Sequence, residues 1–217
     1  DDRIIEGDLL YKPTWDRPPF DREELIPLNW TGTDLKIESQ TKDRLTESIQ
    51  YRAIDELKAE PEPWDLIVDD DGSGKIADIV AIRITKDTLL IRLVHCKYSH
   101  GLTAGARVDD LYEVCGQTQK SVMWRKGDLQ HFFHTLDDRA RKKYSRDGVS
   151  PFEVGDIKTL YKIQEKAAIL RRKMEMVIVQ PGLSATKVTP QQLNLLASTQ
   201  AYLNTTIKAP LIVWCSP

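Results

Sequence analysis

The sequence predicts an α/β protein, an α/β/α sandwich with a mixed central sheet, and three observations lead to this prediction. Helical spacing of apolar residues marks 41–59 as a first helix. Three apolar runs follow at short intervals, at about 64–70, 75–85 and 88–98, and strands so closely spaced form an antiparallel meander. Later strands alternate with helices, which is typical of parallel pairing with helices on both faces of a sheet.

The composition is that of a globular protein without a membrane segment. Of the 217 residues, 41% are hydrophobic and 29% are charged; the net charge of -2 argues against a uniformly basic coat but allows a local basic patch. No apolar run approaches the roughly 18 residues of a membrane span, so no membrane partner is expected. The acidic start is not a signal peptide, and Cys96, Cys115 and Cys215 form no Cys-x-x-Cys pair, so we expect a cytoplasmic location.

The chain is predicted to consist of an N-terminal arm or linker, residues 1–40, and one domain, residues 41–217. The arm is rich in Pro and Asp, and its Trp15 and Trp30 indicate that it docks on the domain surface. Within the domain, a helical insertion at about 128–173 separates the third core strand from the fourth. The elements around the insertion are a helix, a strand, a helix and a strand, at about 107–125, at 174–180, from Pro190 onward and at 210–215.

Three polar residues interrupt the apolar strands. Asp78 lies on the second strand among isoleucines and valines, and on the third strand His95 and Lys97 share one face, because side chains alternate along a strand. Burying such groups without partners is costly, so their presence indicates a functional site.

This layout resembles the PD-(D/E)xK nuclease superfamily, which has the restriction-endonuclease-like fold. In that family an acid on the first helix, an Asp on the second strand and a Glu-x-Lys or Gln-x-Lys on the third surround one or two divalent metals. A following helix often carries Gln-x-x-x-Tyr, which steadies the lysine and the DNA. Asp78 matches the Asp, Lys97 the lysine and Gln117 the glutamine, while Ser121 stands where the tyrosine would be. The resemblance covers about residues 41–217.

His95 departs from the family pattern, which has a carboxylate or an amide at this position. Three interpretations follow. The imidazole can be a metal ligand that favours manganese over magnesium, it can face a phosphate or a water, or it can mark a site that has lost catalysis and only binds.

The resemblance implies a Mg²⁺ or Mn²⁺ ion held by Asp78 and His95, with Glu47 or Gln50 on the first helix completing its shell. Such an ion would lower the pKa of the attacking water and polarise the phosphoryl oxygen. Lys97 would orient the water or stabilise the charge of the transition state. Glu47 and Gln50 also fit a solvated helix face, and that alternative stays open.

Residues 69–75 form an acidic and glycine-rich segment, which is most simply a hairpin turn. It is not a Walker A loop, because Ile76 follows Lys75 where Ser or Thr is needed. As an alternative, Asp69 or Asp71 lies near the metal as an additional acid.

Basic residues outside the strands are either solvated helix faces or contacts to phosphates. The candidates for nucleic-acid binding are Lys120, Arg139, Arg141, Lys142, Lys143, Arg171 and Arg172.

The resemblance implies a metal-dependent deoxyribonuclease with catalytic residues Asp78, His95, Lys97 and Gln117. DNA is the expected substrate, with RNA left open, and the domain is expected to belong to a larger defence, restriction or helicase-linked protein. A homodimer would suit the cutting of both strands of a duplex. The alternative is an inactive DNA-binding or assembly module on the same fold.

Overall fold

The computed structural model describes residues 20–217 and, before them, the backbone of two short antiparallel strands, β1 (Ile4–Glu6) and β2 (Leu9–Tyr11). Trp15, expected to dock the arm, lies outside the described residues. The further strands are β3 (Leu25–Pro27), β4 (Leu66–Asp69), β5 (Ile79–Ile84), β6 (Thr88–Cys96), β7 (Phe152–Val154), β8 (Arg171–Ser184) and β9 (Leu211–Ser216). The helices are α1 (Ile49–Lys58), α2 (Asp109–Lys120), α3 (Met123–Lys126), α4 (Leu129–Asp147), α5 (Ile157–Ala167) and α6 (Pro190–Ile207).

Strands β3 to β9 form one mixed sheet of seven strands in the order β3-β9-β8-β6-β5-β4-β7. The meander β4-β5-β6 is antiparallel, as is the pairing of β4 with β7. Strands β6, β8, β9 and β3 pair in parallel, because helices separate β6 from β8 and β8 from β9. The predicted α/β class with a mixed central sheet is therefore confirmed.

Both faces of the sheet are covered, which is consistent with a sandwich. One core contains α1 through Ile49 and Leu57, and the other contains residues of α2, α4, α5 and α6, among them Phe132. Along β6, Leu93 enters the second core and Val94 the first, since neighbouring side chains point to opposite faces. Sheet residues buried on both sides explain the nearly continuous apolar runs of the sequence.

Two elements begin at positions that periodicity did not predict. Helix α1 begins at Ile49, because the Ser48 hydroxyl accepts from the backbone N–H of Tyr51 as an N-cap. Strand β8 begins at Arg171, within the segment expected to be helical, and the same segment contributes β7 at the sheet edge. The predicted insertion is thus helical only in part.

Residues 20–40 lie against the domain. After a short 3-10 helix, Arg22–Glu24, strand β3 extends the sheet beside β9, and the Trp30 indole N–H donates to the carbonyl of Cys215 at 2.9 Å. In the part of the chain that the structure describes, no helix is long and apolar enough to cross a bilayer.

Candidate functional site

Asp78 immediately precedes β5, and its carboxylate is 1% exposed. One oxygen accepts from the backbone N–H of Cys96 at 2.9 Å, and the other lies 2.5 Å from Lys75 Nζ. Burial raises the pKa of Asp78 to about 7, and the Lys75 ammonium opposes that rise. The antiparallel pairing of β5 with β6 brings Asp78 next to His95, with 3.9 Å between Oδ2 and Nδ1.

The His95 imidazole is buried, and burial, aided by the Lys75 charge, lowers its pKa to about 3, so the ring is neutral. Its Nε2 lies 2.9 Å from the Ser121 hydroxyl, whereas Nδ1 has no hydrogen-bond partner in the described structure. The Ser121 hydroxyl also lies 3.2 Å from the carbonyl of Ile76. If Nε2–H donates to Ser121 and Ser121 donates to that carbonyl, a bare Nδ1 lone pair is left facing Asp78.

Lys75 is the lysine that lies at Asp78. Its Nζ bridges the carboxylates of Asp78, at 2.5 Å, and Asp71, at 3.2 Å. Burial by itself lowers the pKa of Lys75, but these two carboxylates outweigh burial and raise it. The loop reaches this position through the left-handed backbone of Gly72 (φ +124°) and Gly74 (φ +74°). Lys75 is not among the residues predicted for the site, although its i,i+3 spacing to Asp78 at the start of a strand is a signal in the sequence.

Lys97 has different partners from those expected. It faces α2, as His95 does, but its Nζ pairs with Glu113 at 3.0 Å and Glu38 at 3.3 Å. Among the ion pairs of the described residues, none joins Lys97 to Asp78. Lys97 is the first residue after β6, and its side chain lies beside acids of α2 and of the segment before α1.

Gln50 reaches the site, but as a donor. Its Nε2 donates to Asp69 Oδ1 at 2.8 Å and to the carbonyl of Asp78 at 3.1 Å, and its Oε1 accepts from the backbone of Gln40 at 3.0 Å. Glu47 precedes the first turn of α1, and its backbone carbonyl accepts from Asp34. The Gln50 oxygen, expected as a metal ligand, is thus already engaged by the backbone of Gln40, and Glu47 lies before the helix that was expected to carry it.

A second group of buried acids, the Asp69–Asp70 cluster, consists of Asp69, Asp70, Arg139 and Lys143. Lys143 Nζ lies 2.5 Å from Asp69 Oδ1, and Arg139 Nε lies 2.5 Å from Asp70 Oδ1. Burial raises the pKa of Asp70 to about 6, although the Arg139 guanidinium draws it down. Arg139 and Lys143 were expected to be solvated or to bind phosphate, but they neutralise buried aspartates. They do so because α4, which carries both residues, lies against the end of β4.

The other predicted basic residues lie at the surface. Arg141 pairs with Asp137 on α4, and Lys142 and Lys120 are exposed. Arg171 and Arg172, together with Arg125, Lys173 and Lys208, line a basic cavity of about 440 Å³. Because Arg172 pairs with Leu89, six residues before His95 on β6, this cavity lies about 20 Å along the sheet from His95.

A second cavity of about 440 Å³ opens beside the candidate site, and we call it the His95 cavity. The 72–76 loop, the end of α2 and the start of α3 form its walls. The side chains that matter to the chemistry are Lys75, His95, Gln117, Lys120, Ser121 and Trp124. A cavity next to a buried acid and a buried imidazole whose Nδ1 has no partner has the properties of a binding site.

The donor set fits a divalent ion that takes most of its ligands from water or substrate. Within the described ranges, no three His, Cys, Asp or Glu side chains converge into a metal-binding group. The carboxylate of Asp78 and the unpartnered Nδ1 of His95 nevertheless lie side by side as two possible metal ligands. The Lys75 ammonium at Asp78 shows that this carboxylate attracts a cation. Oxygen with one nitrogen ligand suits manganese better than magnesium.

Comparisons with protein-family models, with curated proteins and with solved structures found no significant match.

Proposed function

We propose that this chain is a metal-dependent nuclease domain that hydrolyses phosphodiester bonds, with DNA as the expected substrate. The observation that carries the proposal is the pair formed by buried Asp78 and the unpartnered Nδ1 of buried His95, beside a cavity lined by two lysines. A buried imidazole nitrogen without a partner is costly, so a ligand is expected to satisfy Nδ1.

The topology supports the proposal. Helix α1, the antiparallel β4-β5-β6, helix α2 and the parallel strand β8 follow one another in the order of the PD-(D/E)xK family. Asp78 lies at the start of the second of these strands, and His95 and Lys97 lie at the end of the third. Asp78 and His95 therefore lie at adjoining ends of β5 and β6, where their side chains are within reach of one substrate.

A divalent ion held by Asp78 and His95 would supply polarisation of the phosphoryl oxygen and a lowered pKa of a bound water. Ser121 acts as a positioning residue, because its hydroxyl fixes the orientation of the ring through Nε2. Lys75, rather than Lys97, is the nearest cation to Asp78 and is the first candidate to stabilise charge on the phosphate. Lys120, exposed at the rim of the cavity, attracts the phosphodiester.

The second candidate is an inactive nucleic-acid-binding module, and a specific observation favours it. Lys75 already neutralises Asp78 at 2.5 Å, and Lys97 is held by Glu38 and Glu113. Both lysines are thus paired within the protein, as expected of a fold that has kept a stable core after losing catalysis.

A cleavage assay separates the two functions. The protein is incubated with Mn²⁺ or Mg²⁺ and linear, circular and single-stranded DNA, with RNA in parallel. We expect cleavage in Mn²⁺ and a loss of at least about a hundredfold in Asp78→Asn, which removes the carboxylate charge while keeping the side-chain shape. Asp137→Asn changes a partly buried aspartate on α4 outside the site, and as the matched control it should cleave normally. Wild-type protein that binds these substrates but cleaves none of them would establish the inactive module.

The same assay assigns the supporting residues. Ser121→Ala should raise the Mn²⁺ concentration needed for half-maximal activity by about 10- to 100-fold, the range found for groups that orient metal ligands. Lys75→Met should reduce cleavage more than Lys97→Met. The reverse order would restore Lys97 to the role that the sequence resemblance gives it.

A further inference from the structure

The His95 cavity contains a flat apolar surface. Trp124 lies in its wall, and the indole stacks on the His131 ring, with centroids 5.8 Å apart and planes at 22°. Phe132 meets the indole edge-on, at 6.1 Å and 71°. The His131 and Phe132 rings therefore hold the Trp124 indole in one orientation. A preoriented indole can stack on another planar group.

Gln117, which also lines the cavity, has a side-chain oxygen without a partner. Gln117 Oε1 is buried and has no hydrogen-bond partner in the described part of the chain. Its Nε2 contacts Glu113 Oε1 at 3.4 Å, which orients the amide and leaves the oxygen as the free end. A buried acceptor of this kind is satisfied by a ligand that carries an N–H group.

Positive charge lies on the rim of the cavity. Lys120 is exposed there and has no ion-pair partner among the described residues, and Lys75 lies on the opposite wall. The cavity volume of about 440 Å³ is in the range of roughly 300–1,000 Å³ that small-ligand sites occupy. The ligand that matches these three features has a planar ring, an N–H donor and an attached anion, and a nucleotide has all three.

We propose that the His95 cavity binds one unpaired nucleobase of a nucleic-acid strand, stacked on Trp124 with an N–H group donating to Gln117 Oε1. The flanking phosphate then lies between Lys120 and Lys75, next to Asp78. A base inside a duplex is stacked and paired and does not enter such a space without being extruded, so the substrate class is single-stranded nucleic acid or an unpaired end. The inference rests on the proposed function for the polymer, but the base site is a separate binding property.

Binding in the absence of metal tests the inference. Fluorescence anisotropy in EDTA measures the affinity for a labelled single-stranded oligodeoxynucleotide and for an abasic strand of equal length. Trp124→Ala should bind the base-bearing strand about 10- to 100-fold more weakly, the usual contribution of a base–aromatic stack, and the abasic strand equally well. Trp124→Phe should recover most of the affinity. Tyr112→Ala removes an exposed aromatic side chain of α2 outside the cavity and is the matched control.

Gln117→Leu provides a second variant in case Trp124→Ala unfolds, and it should also weaken binding of the base-bearing strand alone. Equal affinity of the wild type for both strands, unchanged affinity in both Trp124→Ala and Gln117→Leu, or no binding at all would overturn the base site. Preference of the wild type for intact duplex over the single strand would overturn it too.

If Trp124-dependent binding is found but Mn²⁺ gives no cleavage, the base site stands and the nuclease proposal fails. If cleavage depends on Asp78 but binding ignores Trp124 and Gln117, the nuclease proposal stands and the base site fails.

Discussion

Two groups of buried aspartates lie within ten residues of each other, and they differ in how the surrounding polar atoms are satisfied. In the Asp69–Asp70 cluster, each carboxylate has its own cation, and each oxygen has a partner. Beside Asp78, by contrast, the neighbouring His95 keeps a buried nitrogen without a partner and opens onto a cavity. Both aspartates with raised pKa values, Asp70 and Asp78, owe the rise mainly to burial, so the pKa alone does not distinguish the groups.

The difference shows which buried charges serve the fold and which are available to a ligand. The Asp69–Asp70 cluster holds α4 to the end of β4, and each of its carboxylate oxygens already has a partner. The Asp78–His95 pair retains a buried nitrogen without a hydrogen-bond partner, and a ligand can satisfy it.

Replacing Arg139 by Met should destabilise the protein by about 3–5 kcal/mol at neutral pH, because it leaves the Asp70 carboxylate buried without its cation. Urea denaturation followed by circular dichroism gives the free energy of unfolding. The control is Arg141→Met, which removes an exposed guanidinium from its pair with Asp137 on the same helix and should destabilise the protein far less. Equal losses in the two variants would show that the cluster is not the closed structural unit described above.

The free energy of unfolding should depend on pH through Asp70. Burial raises its pKa from 3.8 to about 6, so between about pH 4 and pH 6 the folded protein keeps a proton that the unfolded chain releases. The carboxyl therefore favours the folded state at low pH, and this contribution is lost as the pH rises through about 6, by up to about 3 kcal/mol. Asp70→Asn should remove this part of the decline in a pH series of urea denaturations. The Arg139→Met penalty should also shrink at low pH, since a protonated Asp70 needs no cation; a penalty independent of pH would contradict the assignment.

A cation without a buried partner should act on nucleic acid and not on the fold. Arg171, exposed at the basic cavity, should leave the free energy of unfolding within about 0.5 kcal/mol when changed to Ala. Binding of DNA should weaken a few-fold, and the slope of log K against log salt should fall by about one. Arg141→Ala, already paired with Asp137, is the matched control in the same titration. An unchanged slope in Arg171→Ala would exclude the basic cavity from the path of the DNA.

The α/β class, the β4-β5-β6 meander and the adjacency of Asp78 and His95 follow from the sequence, whereas strands β3 and β7 were not predicted. Runs of apolar residues predicted the strands, because a strand buried on both faces needs apolar side chains at nearly every position. The short turn after β5 leads to antiparallel pairing with β6, and that pairing places His95 beside Asp78. These are consequences of local geometry, in which the alternation of side chains and the length of a connection suffice.

The tertiary structure alone decided which cations and acceptors surround the pair. A lysine or arginine side chain has several rotatable bonds, so its partner depends on what non-local packing brings within reach. Lys75 therefore lies at Asp78, Lys97 at Glu113, and Arg139 at Asp70, although each is an ordinary basic residue in the sequence. The cavity that contains Trp124 likewise exists only because α3 folds back over the loop before β5.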